Sequence, residues 1–307
     1  MSVGYRAVQW SRHKLVYDAF VLALVLGYIA VFMVVGSLVW TGDHAISPPI
    51  LMIRALGTCS LVMLHVVLAI GPLTRLDPRF LPLLSNRRHL GVATFLVALA
   101  HGALSLVWYH GFGDVNPLVS LLTANTSFGS LTGFPFQLLG VLALVVLFVM
   151  AATSHDFWNA NLGPRWWKRV HMLVYVAYAL VVLHVALGAV QSERSMLYPV
   201  MLLVGAGLLI TLHLAAALKE ARRDADTRDP TIDWVDVCAV DDIEEGRAKR
   251  VSLEGREDVA VFRHDGAYSA ISGVCRHQGG PLAEGKIIDG CVTCPWHGWQ
   301  YRPGDGC

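Results

Sequence analysis

Six long apolar runs constrain this chain more than any other feature. They cover Ala19–Trp40, Ala55–Leu73, Leu90–Tyr109, Phe134–Thr153, Val170–Val190 and Met196–Leu218. Each approaches the roughly 20 residues a helix needs to cross a hydrocarbon core. In lipid the backbone must satisfy its own N–H and C=O groups, so such runs become helices. The expected fold is an all-α six-helix transmembrane bundle over residues 1–220, a linker at 221–230 and a small all-β domain at 231–307. Composition agrees, because only 15% of residues are charged, against about a quarter in soluble domains. The first run is too long for a cleavable signal peptide and no small-residue cleavage site follows it, so it reads as a retained helix. No internal repeat stands out.

Lys and Arg set the orientation. They gather in the N-terminal tail (Arg6, Arg12, Lys14), between the second and third runs (Arg75, Arg79, Arg87, Arg88), between the fourth and fifth (Arg165, Lys168, Arg169) and after the sixth (Lys219, Arg222, Arg223). The other side holds Arg54 and Arg194. The positive-inside rule then places both termini in the cytoplasm, as an inner (plasma) membrane protein with several passes. Asp18 is expected at headgroup level, and Trp108/Tyr109 and Trp166/Trp167 as interfacial anchors.

The strongest motif is Cys275-Arg-His277, then sixteen residues, then Cys294-Pro-Trp-His297. Two Cys and two His at this spacing point to a [2Fe–2S] centre in which two His replace two Cys on one iron. Cys275 and Cys294 would hold one iron as thiolates, and His277 and His297 the other. The competing reading is a zinc ribbon built on Cys291-x2-Cys294. Short strands expected at Trp234–Val240, Ala248–Leu253, Val259–Arg263 and Tyr268–Ile271, with turns at Glu254-Gly255 and Asp265-Gly266, suit a small β-domain. VCRHQGGPL…CVTCPWHGWQY resembles the Rieske ferredoxin family.

That resemblance implies two further points. Gly280 and Trp296 stand where the bc1-type proteins have a disulfide, and Trp299 stands where they have a serine, though Tyr301 remains. Fewer hydrogen bonds to the sulfurs imply a lower potential. The chain stops ten residues after His297, where the family adds further strands, so the domain reads as truncated. Cys59 and Cys238 read as small buried hydrophobes, and a cytoplasmic setting argues against a disulfide between Cys291 and Cys307.

Ionisable groups inside spans default to function. His65, His101, His171, His184 and His213 fall within the runs, with His89 at a cytoplasmic mouth. His101 lies 13 residues beyond Arg88 and His184 lies 15 beyond Arg169, so both sit about 20 Å deep at 1.5 Å per residue. Matched depth pairs them across an outer haem. His171, with His89 or His65, would serve an inner one, whereas His213 is expected only to bridge helices by hydrogen bonds. NRRHLG…AHG at 86–102 and WWKRVHMLVY…LHV at 166–185 resemble the ferric reductase-like transmembrane family. The family implies haem b, with two fifth-helix His separated by 13, as here. On an ideal helix that spacing turns by about 140°, so a shared seam needs tilt or a distortion.

No G-x-G-x-x-G follows a strand, so a dinucleotide domain is not expected. Nor does any basic stripe suggest nucleic acid. The expected role is electron transfer: from a separate cytoplasmic reductase or ferredoxin, through the cluster and haem b, to a quinone or extracytoplasmic acceptor. Two other classes compete. A membrane oxygenase would want a facial triad of two His and a carboxylate, and a redox or iron sensor would want an output module; neither is visible.

Overall fold

The computed structural model describes residues 12–192, 195–226, 235–253, 257–276, 279–296, 298–304 and 306. The chain divides into two units, one up to Leu218 and one from Lys219.

The first unit is helical. Its elements are α1 (Arg12–Val39), α2 (Pro48–Leu76), α3 (Leu81–Ser85), α4 (Arg87–His110), α5 (Pro117–Thr123), α6 (Phe136–Ala152), α7 (Asp156–Met172), α8 (Val174–Leu187), α9 (Ala189–Ser192) and α10 (Leu197–Asp226). Every apolar run lies on a helix. Among the described residues five helical stretches are long and apolar enough to cross a membrane, and α6 is a shorter apolar helix of 17 residues. The protein is thus a membrane protein with an all-α bundle. Large apolar side chains on α1 and α10, such as Phe20, Val31, Leu203 and Leu214, lie exposed, as helices do where the solvent is itself hydrocarbon.

The second helix is the central one. Leu51, Ala55, Leu64 and Leu68 of α2 are buried, and Leu64 and Leu68 meet Phe95, Leu147, Val174, Ala177 and Leu209 in one cluster. Those residues come from α4, α6, α8 and α10, so a single apolar seam joins five helices.

Several expectations change. The linker expected at 221–230 begins as helix, because α10 runs on to Asp226; Lys, Glu, Ala and Arg are strong helix formers, so polarity alone does not break the helix. The fifth helical stretch starts at Asp156 and is interrupted at Leu173, whose N–H bonds to Val170 O at 3.1 Å, three residues back. That tighter turn is a local distortion between His171 and His184. Trp167 is no lipid anchor: it is buried and stacks on His171, ring centroids 3.7 Å apart. Asp18 turns inward to His89, with Nδ1 to Oδ1 at 3.1 Å.

The second unit holds two three-stranded antiparallel sheets, β1-β2-β3 (Ala248–Val251, Val259–His264, Ala267–Ser272) and β4-β5-β6 (Lys286–Ile288, Cys291–Thr293, Gln300–Tyr301). It is a small all-β domain. Asp265-Gly266 makes the tight turn joining β2 to β3, with φ of 50° and 71°. A second Asp-Gly turn, Asp289-Gly290, joins β4 to β5 at φ of 52° and 75°; both are type I′ in sign. Strand pairing sends Ala260 and Phe262 of β2 inward, against Leu282, Val292 and the Cys275 and Cys294 side chains. The strand expected at Trp234–Val240 is absent over 235–239, where no ladder forms, and Val240–Asp242 is a single tight helical turn. Trp234 and the Glu254-Gly255 turn lie outside the described residues.

Candidate redox centres

In the β-unit the two motif loops are built alike. The Cys275 N–H bonds to Gly280 O at 2.8 Å and the Gly279 N–H to Cys275 O at 2.7 Å. In the second loop the Cys294 N–H bonds to Trp299 O at 2.8 Å and the Gly298 N–H to Cys294 O at 3.0 Å. Closing each loop four residues on needs left-handed backbone, and Gly279 (φ 74°) and Gly298 (φ 67°) supply it without steric cost. Each Cys is thereby fixed at the root of a short loop. Both sulfurs belong to residues only 2% exposed. His277 and His297, the proposed imidazole ligands, lie outside the described residues.

The donor set around the sulfurs fits a cluster. Tyr301 accepts the Arg276 N–H at 3.0 Å and stands 3.1 Å from Cys275 Sγ, to which its O–H would donate once that sulfur is a thiolate. Burial, and then the Cys275 sulfur, push its phenol well above the usual tyrosine range, so it stays a donor. A Cβ on Gly280 would lie 2.7 Å from Cys294 Sγ and 3.2 Å from the Trp296 ring. Gly280 thus lies against both the Cys294 sulfur and the Trp296 ring. Tyr301→Phe removes one donor from a ligand sulfur, leaving the more negative reduced cluster less stabilised. A redox titration should show the midpoint falling by on the order of 50 mV, the equivalent of about 1 kcal/mol. An unchanged midpoint would remove this role from Tyr301.

Cys291 and Cys59 are free thiols, Cys59 buried and Cys291 half-buried; Cys238 is half-buried rather than buried. Cys307 lies outside the described residues.

The five histidines of the apolar runs fall into two groups. His65, His171 and His213 each bond through Nδ1 to the carbonyl four residues back on the same helix, at 2.7 to 2.9 Å. Nε2 of each then meets a hydroxyl: Tyr178 at 3.1 Å, Ser154 at 3.3 Å and Tyr175 at 3.2 Å respectively. The His65 ring also packs flush on α10, where a Cβ on Gly205 would overlap it.

His101 and His184 differ. Nδ1 of His101 bonds to Ile53 O on α2 at 2.9 Å, and Nδ1 of His184 bonds to Phe136 O, where α6 begins, also at 2.9 Å. A carbonyl only accepts, so Nδ1 carries the proton and Nε2 the lone pair. Their ring centroids are 6.4 Å apart with planes crossed at 80°. Two imidazoles on opposite faces of one metal, each about 2 Å from it, place their centroids about 6 Å apart. The residues fit a six-coordinate haem iron. The structure brings His101 and His184 together, whereas His171 meets Trp167 and Ser154.

Sequence reasoning missed the carbonyls of Ile53 and Phe136, the Asp18–His89 pair and the hydroxyls on His65 and His171. Asp18, Tyr178 and Ser154 carried a polar signal, but nothing in the sequence said which histidine each would meet.

Comparison with known proteins separates the same two parts. Residues 56–182 match the family model "Ferric reductase like transmembrane component" and residues 233–307 match "Rieske [2Fe-2S] domain". The heme-binding subunit MsrQ of protein-methionine-sulfoxide reductase from Caulobacter vibrioides is 34% identical over 182 residues, 57% of this chain and 78% of that protein. MsrQ of Herminiimonas arsenicoxydans is 34% identical over 131 residues, 43% of this chain and 55% of that protein. The ferredoxin component of the alkene monooxygenase system of Xanthobacter autotrophicus is 39% identical over 71 residues, 23% of this chain and 57% of that protein. The chain thus spans a little over half the length of the last two. With a [2Fe–2S] domain following its bundle, the chain belongs to the ferric reductase-like transmembrane family.

Proposed function

We propose that this protein carries electrons between a cytoplasmic donor and a quinone or extracytoplasmic acceptor, using a Rieske cluster and a haem b. A bound cluster and a bound haem supply one-electron redox chemistry. The chain's residues hold and tune them: Cys275 and Cys294, with His277 and His297, for the cluster, and His101 and His184 for the haem. The crossed imidazole pair carries the reading. These two take a backbone carbonyl of another helix on Nδ1 and stand with ring centroids 6.4 Å apart, a spacing one iron would fill. Their depth of about 20 Å from the basic side places the haem toward the outer leaflet. His171 and His89 remain the proposed ligands of an inner haem. Ser154 meets the His171 ring and Asp18 the His89 ring in this structure. The heme-binding description of the MsrQ relatives agrees with the haem assignment.

The test uses sealed membrane vesicles of both orientations. A reduced ferredoxin or flavin reductase added to the cytoplasmic face should reduce the b-type haem band, and the opposite face should give no response. Cys294→Ala should abolish this donor-driven reduction while dithionite still reduces the haem fully. Donor-driven reduction at the normal rate in Cys294→Ala, or from the extracytoplasmic face, would overturn the proposed direction.

A further inference from the structure

The two haem-facing histidines sit in two copies of one device. His101 reaches a carbonyl 48 residues earlier, and His184 does the same. Each ring also lies close against a glycine one turn after that carbonyl. A Cβ on Gly57 would meet His101 Cε1 at 2.9 Å and Nδ1 at 3.1 Å, and a Cβ on Gly140 would meet the same two atoms of His184 at 2.9 Å each. Ile53 and Phe136, Gly57 and Gly140, and His101 and His184 are all 83 positions apart.

The offset continues into the packing. It relates Leu64 to Leu147 and Thr94 to Ala177, all buried, and Phe95 to Tyr178, which joins the same apolar cluster. The hairpins α2–α4 and α6–α8 therefore repeat one another although their residue types differ. The repeat does not extend to the cytoplasmic ends: 83 positions beyond His89 stands Met172, and His171 matches Arg88.

We propose that Gly57 and Gly140 are the positioning residues of the haem ligands, each letting an imidazole lie against a neighbouring helix backbone so that a carbonyl fixes its tautomer and ring plane. This rests on the proposed pairing of His101 with His184. A methyl group at either glycine must push the ring off its carbonyl, because the contact falls on the rigid imidazole and not on a flexible chain end. Nδ1–H then loses its acceptor and the plane rotates. Ring plane and ligand basicity both tune a haem iron, so the effect is spectroscopic as well as structural. Crossed imidazole planes give a highly anisotropic low-spin signal in electron paramagnetic resonance, and rotation toward parallel makes it rhombic.

The experiment compares Gly57→Ala, Gly140→Ala and Gly91→Ala in the full chain. Gly91 lies on α4, and a Cβ there meets nothing within 4 Å, so it controls for the helix change alone. The Rieske signal of the same chain counts the protein. Expected is loss of most of the anisotropic low-spin haem signal, or its conversion to a rhombic one with a shifted midpoint, in both Gly57→Ala and Gly140→Ala. Gly91→Ala should match the unaltered protein. Haem signal and midpoint unchanged in both variants would overturn the inference, as would equal loss of the Rieske and haem signals, since a local device spares the soluble domain. His101→Ala and His184→Ala run in parallel: if these keep their haem, the pairing has failed rather than the glycine device.

Discussion

Alanine at His101 or at His184 removes the same haem and to the same extent. Each ring is one of two facing each other at 6.4 Å between centroids, so losing either leaves one iron face without an imidazole. Changes that merely disturb the partner of a metal-bound His cost 10- to 100-fold in affinity, so deleting the ligand should lower haem content by more than about tenfold. The measurement is the reduced-minus-oxidised b-type spectrum, normalised to the Rieske signal. His213→Ala is the control, since that ring only bridges to Tyr175. His171→Ala removes a separate fraction where an inner haem is bound. Full haem content with unaltered spectra in both the His101 and His184 variants would sink the pairing.

Cys275→Ala and Cys294→Ala are expected to abolish the Rieske signal completely, as replacement of His277 or His297 should, because each removes a proposed cluster ligand. Each sulfur is held in the core by Phe262, Leu282 and Val292, so no surface group replaces it. Metal binding and folding are coupled in such small domains, and the variants should also melt at lower temperature. Gly280→Ala is the graded case: its methyl would crowd Cys294 Sγ and the Trp296 ring, so the signal should weaken and broaden. A colourless, zinc-loaded unaltered protein would overturn the assignment, and a Rieske signal surviving in Cys294→Ala would remove that ligand.

Much of this was legible beforehand. The apolar runs specify helices because hydrocarbon leaves the backbone no other partner, and each run lies in helical backbone, the fifth with an interruption at Leu173. The Cys-x-His and Cys-x2-His spacings are local, and the residue types needed at a mixed Cys/His centre are few; the signature is therefore written within a few residues. The strand at 235–239 failed for the opposite reason: an alternating pattern says that a segment suits a pleat, not that a partner strand lies beside it.

What the sequence by itself determined is the apolar helical stretches, the cluster motif and the position of each histidine along its run, since all three follow from residue type and count along the chain. Only the tertiary structure decided which histidines meet. Depth matched His101 with His184 and left His171 open to either His89 or His65, but rotation about the helix axis is set by packing. Packing turned His65 to Tyr178 and Gly205, His89 to Asp18 and His171 to Ser154 and Trp167. The 83-residue recurrence stayed hidden because the partners of His101 and His184 are backbone carbonyls and glycine surfaces. Those place little demand on residue type at Ile53 and Phe136, so the repeat is written in shape rather than in letters.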